Sequence, residues 1–94
     1  MDKPDFISVV YFFATIALQH LGIVKNPLTD KVEKNLDVAK YTIDVLDLIK
    51  EKTKGNLSKE EESLLTSTLS DLKLTYVKEK EKKESEPKSE EKPG

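Results

Sequence analysis

Few side chains in this sequence belong to the types that carry catalysis or bind metal ions. His20 is the sole histidine, and cysteine is absent. A catalytic triad, a histidine metal cluster or a Cys–His pair therefore cannot be assembled within one chain. Copies of His20 could meet across the axis of an oligomer, but a histidine that bonds to a backbone carbonyl at a helix end is the simpler interpretation. We therefore expect no catalytic residue, no metal ion and no cofactor, and we predict that the protein is not an enzyme.

A strip of carboxylates is the second candidate for chemistry. Its members fall on the polar side of one predicted helix: Asp37, Asp44, Asp47 and Glu51. Lys40 and Lys50 lie close to them, and no histidine or glycine-bearing calcium loop accompanies them. The strip is therefore interpreted as a solvated face or a partner contact rather than as a cation site.

The segment from Lys52 to Asn56, Lys-Thr-Lys-Gly-Asn, superficially resembles a phosphate-binding turn. It lacks the GxxxxGK[ST] spacing, and the helix predicted after it begins with consecutive glutamates, which would repel an anion. Nucleic-acid binding is also unsupported, because the net charge is −2 and arginine is absent. The sequence therefore predicts neither a phosphate site nor a nucleic-acid partner.

The elements that must position these residues are dominated by an uncharged stretch from Phe6 to Leu21. On a helix at roughly 100° per residue its apolar side chains cover roughly 220°, about twice the stripe that a surface helix buries. One face carries Ile7, Val10, Ala14, Ala17, Leu18 and Leu21, and a second face beside it carries Phe6, Val9, Phe13, Ile16 and His20. The polar positions Ser8, Thr15 and Gln19 either face water or bond across a helix interface.

The two apolar faces of this first helix need two partners. The first face can pack on later helices of the same chain, whereas the second needs a second copy, a different protein or a bilayer. We predict that the second face is the interface of a homo-oligomer, a dimer or larger, in a protein–protein interaction module. The alternative is a membrane-associated protein anchored by this helix, although the stretch is short for a span, which needs roughly 20 residues.

Local signals set the ends of the first helix. Asp2 or Asp5 is placed to cap its start, and Gly22 is placed to end it. A connector follows, in which Asn26-Pro27 breaks any helix and Leu28–Asp30 indicates a turn. No secretory signal is evident, because the first residues are not basic and no small-residue cleavage site follows the apolar stretch. With no cysteine present, we expect a cytoplasmic protein.

The second helix is predicted to start near Asn35 and to run to about Lys54, where Gly55 ends it. Its apolar side is broad: Leu36, Ala39, Ile43, Leu46 and Ile49, widened by Val38, Thr42, Val45 and Leu48. This breadth predicts deeper burial than in a surface helix. A capping box of Ser58 and Glu61 then opens a third helix. The link is so short that the second and third helices must form a hairpin.

The third helix is a conventional surface helix with one apolar stripe: Leu65, Leu69, Leu72 and Tyr76. Beyond Val77 the sequence consists almost entirely of lysine and glutamate and carries no apolar anchor. We predict a helical domain over residues 1–77 and a charged tail over residues 78–94, helical to about Lys83 and then disordered. The tail acts either as a solubiliser or as a binding arm.

Five stretches form a pattern that can be compared with known families: His20–Gly22, Asn26-Pro27, Asn35–Asp44, Glu51–Glu61 (EKTKGNLSKEE) and Leu69–Val77. From about Leu21 to Val77 the chain resembles the bacterial family described as domain of unknown function 1844. Lys73 departs from the Leu-Arg with which the last stretch usually ends, and Asp30 from a glycine common in that turn. The resemblance implies an all-helical domain, and it implies no catalytic or binding residue because the family is functionally uncharacterised.

These observations predict an all-α protein. A long apolar first helix packs on an antiparallel hairpin of the second and third helices, and a disordered charged tail follows. Self-association through Phe6, Val9, Phe13, Ile16 and His20 is the leading functional hypothesis, and an unidentified protein partner is a further possibility.

Overall fold

The computed structural model describes residues 3–85, and these residues form three α-helices that all pack against one another. They are α1 (Phe6–His20), α2 (Leu36–Lys52) and α3 (Lys59–Ser85). The described residues contain no β-strand, only an isolated bridge in the connector between α1 and α2. The predicted all-α fold of three helices is confirmed.

Hydrogen bonds within a few residues of sequence fix both ends of α1. The Asp5 carboxylate accepts a bond of 2.8 Å from the backbone N–H of Ser8 and one of 2.7 Å from its hydroxyl. These bonds, the hydroxyl bond foremost, lower the pKa of Asp5. At the other end Gly22 adopts φ 84°, and the N–H of Ile23 reaches back to the carbonyl of Leu18 at 2.9 Å. This is the glycine-dependent C-terminal motif that the sequence predicts.

Asn26 organises the connector between α1 and α2. Its backbone pairs with Lys31, its side-chain oxygen accepts from the N–H of Leu28 at 2.8 Å, and its amide donates to Glu33 at 3.0 Å. Asp30 adopts φ 58°, in the left-handed region. Leu28 is held at the tip of this turn with 93% of its surface exposed. The connector is therefore an ordered loop that presents an apolar side chain to solvent.

Two substitutions at left-handed positions are expected to differ in their effect on stability. Gly22→Ala should lower the free energy of unfolding by about 1 kcal/mol, because a side chain is strained at φ 84°. Asp30→Gly should be neutral or stabilising by up to about 0.5 kcal/mol, because glycine removes that strain at φ 58° but adds freedom to the unfolded chain. Urea unfolding of both variants measures the difference, and a loss at both sites would contradict the assignment at Asp30.

Caps also define the ends of α2 and α3. Asn35 accepts from the N–H of Val38 at 3.2 Å, as expected for the N-cap of α2. The capping box is present, since the hydroxyl of Ser58 accepts from the N–H of Glu61 at 3.1 Å and the Glu61 carboxylate accepts from the N–H of Ser58 at 2.9 Å. Helix α2 ends at Lys52, two residues before the predicted end, with Gly55 at φ 86° in the link to α3.

The core lies where one stripe of each helix meets the other two. Its buried apolar side chains are Val10, Ala14, Ala17, Leu21, Ala39, Ile43, Leu46, Leu65, Leu69 and Leu72. Thr42 is buried beside them, and its hydroxyl donates to the carbonyl of Val38 at 2.8 Å, so its polar group is satisfied. The first predicted face of α1 and the predicted stripe of α3 supply most of this core.

Helix α3 continues past Val77 without interruption as far as Ser85. The helical part of the predicted tail is therefore present and runs two residues beyond the predicted end near Lys83. The rest of the segment predicted to be disordered, residues 86–94, lies outside the described residues. Glu79 forms an ion pair of 2.8 Å with Lys34 in the connector, and its side chain is only 12% exposed. This contact joins the extension of α3 to the start of α2.

Glu79→Gln should lower the free energy of unfolding by about 1 kcal/mol near neutral pH. The hydrogen bond from Lys34 lowers the pKa of Glu79 below its ordinary 4.5. The stabilisation is therefore complete above that pH and is lost as the pH falls through the folded-state pKa. Melting temperatures of both proteins should converge in acid, whereas the exposed control Glu81→Gln should match the wild type throughout. A gap that persists in acid would contradict an ionic origin.

Candidate interaction surface

The two edges of α2 have different surroundings. One edge faces α3, where the Asp47 carboxylate pairs with the Lys73 ammonium at 2.9 Å and Ile43 lies beside Tyr76 and Val77. Because α3 occupies this side, α1 must cover α2 from the other side of the core stripe. The edge of α2 away from α3 is therefore the one that borders α1.

That edge of α2 is apolar and only partly covered. Its members recur at the three-four spacing of a helix face: Val38, Tyr41, Val45 and Leu48. Tyr41 is 71% exposed and Leu48 is 52% exposed. The predicted deeper burial of α2 is thus wrong along this edge, because two neighbouring helices cover one stripe of α2 and leave its α1-side margin open.

The five α1 residues predicted as an interface are all half-buried: Phe6, Val9, Phe13, Ile16 and His20. Phe6 and Phe13 pack against the core of their own chain. Nδ1 of His20 lies 3.0 Å from the carbonyl oxygen of Ile16, which can only accept, so this nitrogen carries the proton. The structure therefore matches the simpler interpretation of His20, and Val9 and Ile16 are the least committed members of the set. Their role as an interface stays a prediction.

Helix geometry indicates that the apolar edges of α1 and α2 lie on the same side of the domain. The chain reverses between these helices, since the N–H of Asn35 donates to the carbonyl of His20 at 2.7 Å. Side chains advance around both right-handed helices in the same known sense, and the position of α3 identifies the edge of α2 that borders α1. Because α1 runs opposite to α2, this geometry places Val9, Phe13 and Ile16 on the edge of α1 that borders α2.

We group the two edges under one name, the α1–α2 face: Val9, Phe12, Phe13, Ile16, Val38, Tyr41, Val45 and Leu48. Phe12 is 63% exposed and its ring meets that of Phe13 edge-on at a centroid distance of 5.4 Å. None of these side chains is charged, and α1 carries no aspartate, glutamate or lysine. The exposed members of this surface are Phe12, Val38, Tyr41 and Leu48. Clusters of exposed apolar side chains are typical of contact surfaces.

The remaining candidates for chemistry have ordinary structural roles. Asp44 pairs with Lys40 at 3.2 Å and Asp47 pairs with Lys73, so this part of the acidic strip is matched by lysines. Among residues 3–85, no group of three metal-ligating side chains is close enough to hold an ion. The turn at Lys54 borders an open hollow of about 580 Å³ whose lining mixes lysines with Asp47, Glu51 and Glu62.

The sequence analysis did not assign Tyr41 or Phe12 to an apolar surface, and Phe12 falls beside the polar positions of α1. A signal was present for Tyr41, which lies three residues after Val38 and four before Val45 and thus completes their stripe. For Leu28 no periodic signal exists, because its exposure follows from the turn that Asn26 organises.

The fold defines a small three-helix domain with exposed apolar side chains on its surface, and among residues 3–85 no group of side chains is placed to hold a metal ion. Residues 3–78 match the family model described as Domain of unknown function (DUF1844), and the chain belongs to that family. Neither the comparison with curated proteins nor that with solved structures finds a match. Within the described part of the chain, no helix combines the length and apolarity required to cross a membrane.

Proposed function

We propose that the protein is a non-catalytic interaction module that self-associates through the apolar edge of α1. The main support for this proposal is that Val9 and Ile16 stay partly exposed beside the exposed Phe12, although α1 already packs on both other helices. A second copy is the occupant because two uncharged α1 surfaces can meet without like-charge repulsion.

The free energy of association requires the α1 edge to be buried together with the exposed side chains next to it. Burying one large apolar side chain contributes about 1.5–3 kcal/mol, whereas association costs at least about 4 kcal/mol in lost freedom. Val9 and Ile16 are already half-buried, so each contributes less than this and the two alone do not offset the cost. A symmetric contact, however, buries both copies of every side chain in it. Phe12 and Tyr41 supply the larger areas. We therefore expect a dimer with a dissociation constant on the order of micromolar.

Sedimentation velocity from about 1 to 100 µM tests this proposal, because that range spans the expected dissociation constant. The sedimentation coefficient should rise from that of a monomer to that of a dimer. A monomer at every concentration would overturn the proposal.

The competing candidate is a protein that lies on a bilayer surface, which the exposed Tyr11 and Phe12 of α1 favour. Flotation with vesicles of neutral and of anionic lipid separates the two. Membrane binding would replace self-association if the wild-type chain sediments as a monomer and floats with vesicles, and if Val9→Glu abolishes that flotation.

A further inference from the structure

We propose that α2 of one copy pairs antiparallel with α2 of the second copy, about a two-fold axis that passes near Val45. This inference deepens the proposed function, on which it rests for the existence of a second copy. It adds a second helix to the interface and fixes the relative direction of the two chains.

The spacing of the α2 edge suits such a pairing. Val38, Tyr41, Val45, Leu48 and Lys52 follow one another at intervals of three and four residues, as do the core positions of paired helices. When the helix is reversed about Val45, Tyr41 of one copy comes opposite Leu48 of the other. The large exposed side chains, Tyr41 and Leu48, therefore cover each other.

Charge at the two ends of the α2 edge favours one direction of pairing. Asp37 lies in the first turn of α2 and Lys52 in its last, and both border the apolar edge. Within residues 3–85 neither makes an ion pair with another residue. Antiparallel pairing brings Asp37 of each copy beside Lys52 of the other, whereas parallel pairing brings equal charges together. Opposed helix dipoles favour the same direction.

The same axis accommodates α1. Because α1 runs opposite to α2 within one chain, the middle of α1 near Phe13 lies level with the middle of α2. The two-fold then places Val9 of one copy near Ile16 of the other, and this contact contains no charge. The α1–α2 face is thus self-complementary as a whole, which an isologous dimer requires.

Single cysteines test the pairing cleanly, because the natural chain has none. Val45→Cys should form a disulfide between copies in a glutathione buffer at least about tenfold faster than Ser70→Cys, an exposed position on α3. A mixture of Tyr41→Cys and Leu48→Cys chains should cross-link faster than either variant alone. Equal rates at Val45 and Ser70 would overturn the pairing.

A charge exchange tests the direction. Asp37→Lys and Lys52→Asp should each raise the dissociation constant by about three- to tenfold, and an equimolar mixture or the double variant should restore it. Thermal unfolding of each variant confirms that it is folded. No rescue in a protein that still sediments as a dimer would overturn the antiparallel pairing and leave the proposed function standing. A wild-type monomer throughout would overturn both.

Discussion

Val9→Glu should make the protein monomeric at concentrations at which the wild-type chain is a dimer. Val9 lies on the α1–α2 face, is half-buried and is not among the side chains that pack against the core. In a symmetric dimer the substitution brings two carboxylates into a surface that excludes water, at a cost of several kcal/mol. The dissociation constant should therefore rise at least about 100-fold, as measured by sedimentation.

The matched control is Ser70→Glu, which adds the same charge at an exposed position on α3. It should leave the dissociation constant within about twofold of the wild-type value. Phe13→Glu is a weaker test, because Phe13 also packs against the core and its loss would unfold the chain. Circular dichroism should show that the Val9 and Ser70 variants are equally helical. An unchanged dissociation constant for Val9→Glu would remove this edge from the interface.

Leu46→Ala should lower the free energy of unfolding by about 2–5 kcal/mol. Leu46 is fully buried at the centre of α2, where the stripes of all three helices meet. Its truncation removes apolar contacts and leaves a cavity that close-packed neighbours fill only in part. Such a loss is a large share of the stability of a small domain. Urea unfolding at one fixed protein concentration measures it, because association would itself add stability.

Leu28→Ala is the control for this prediction, since it removes the same atoms from a side chain that is 93% exposed. Its effect should stay within about 0.5 kcal/mol. Similar losses at both positions would mean that the connector is buried against something that the monomer does not provide. The pair therefore also reports whether Leu28 takes part in the assembly.

Helix ends were predictable because their hydrogen-bond partners lie within a few residues of one another. Asp5, Asn35 and the pair Ser58–Glu61 each cap a helix as the sequence indicates. Gly22 ends α1 for a similar reason, since the left-handed position after a helix favours glycine. The predicted stripe of α3 is likewise confirmed at Leu65, Leu69 and Leu72, because the helical period alone selects those positions.

The division of apolar side chains between core and surface could not be predicted in the same way. Periodicity shows that α1 and α2 have broad apolar arcs, but it does not show which part of each arc a neighbour covers. The position of α3 decides this, since it pairs with the Asp47 edge of α2 and leaves Tyr41 and Leu48 open on the other. The α1 part of the candidate surface was thus predicted in part from the sequence. The α2 part was not predicted, because the apolar side of α2 was expected to be buried.

The sequence by itself determined three helices, their caps and a surplus of apolar surface, because these depend on neighbours along the chain. Only the tertiary structure decided that Phe6 and Phe13 pack against the core while Val9 and Ile16 stay partly exposed. It also decided that Lys34 pairs with Glu79, from which it is separated by 45 residues in the sequence. The physical reason is that burial depends on how helices are arranged around one another, and that arrangement is set by packing over the whole chain.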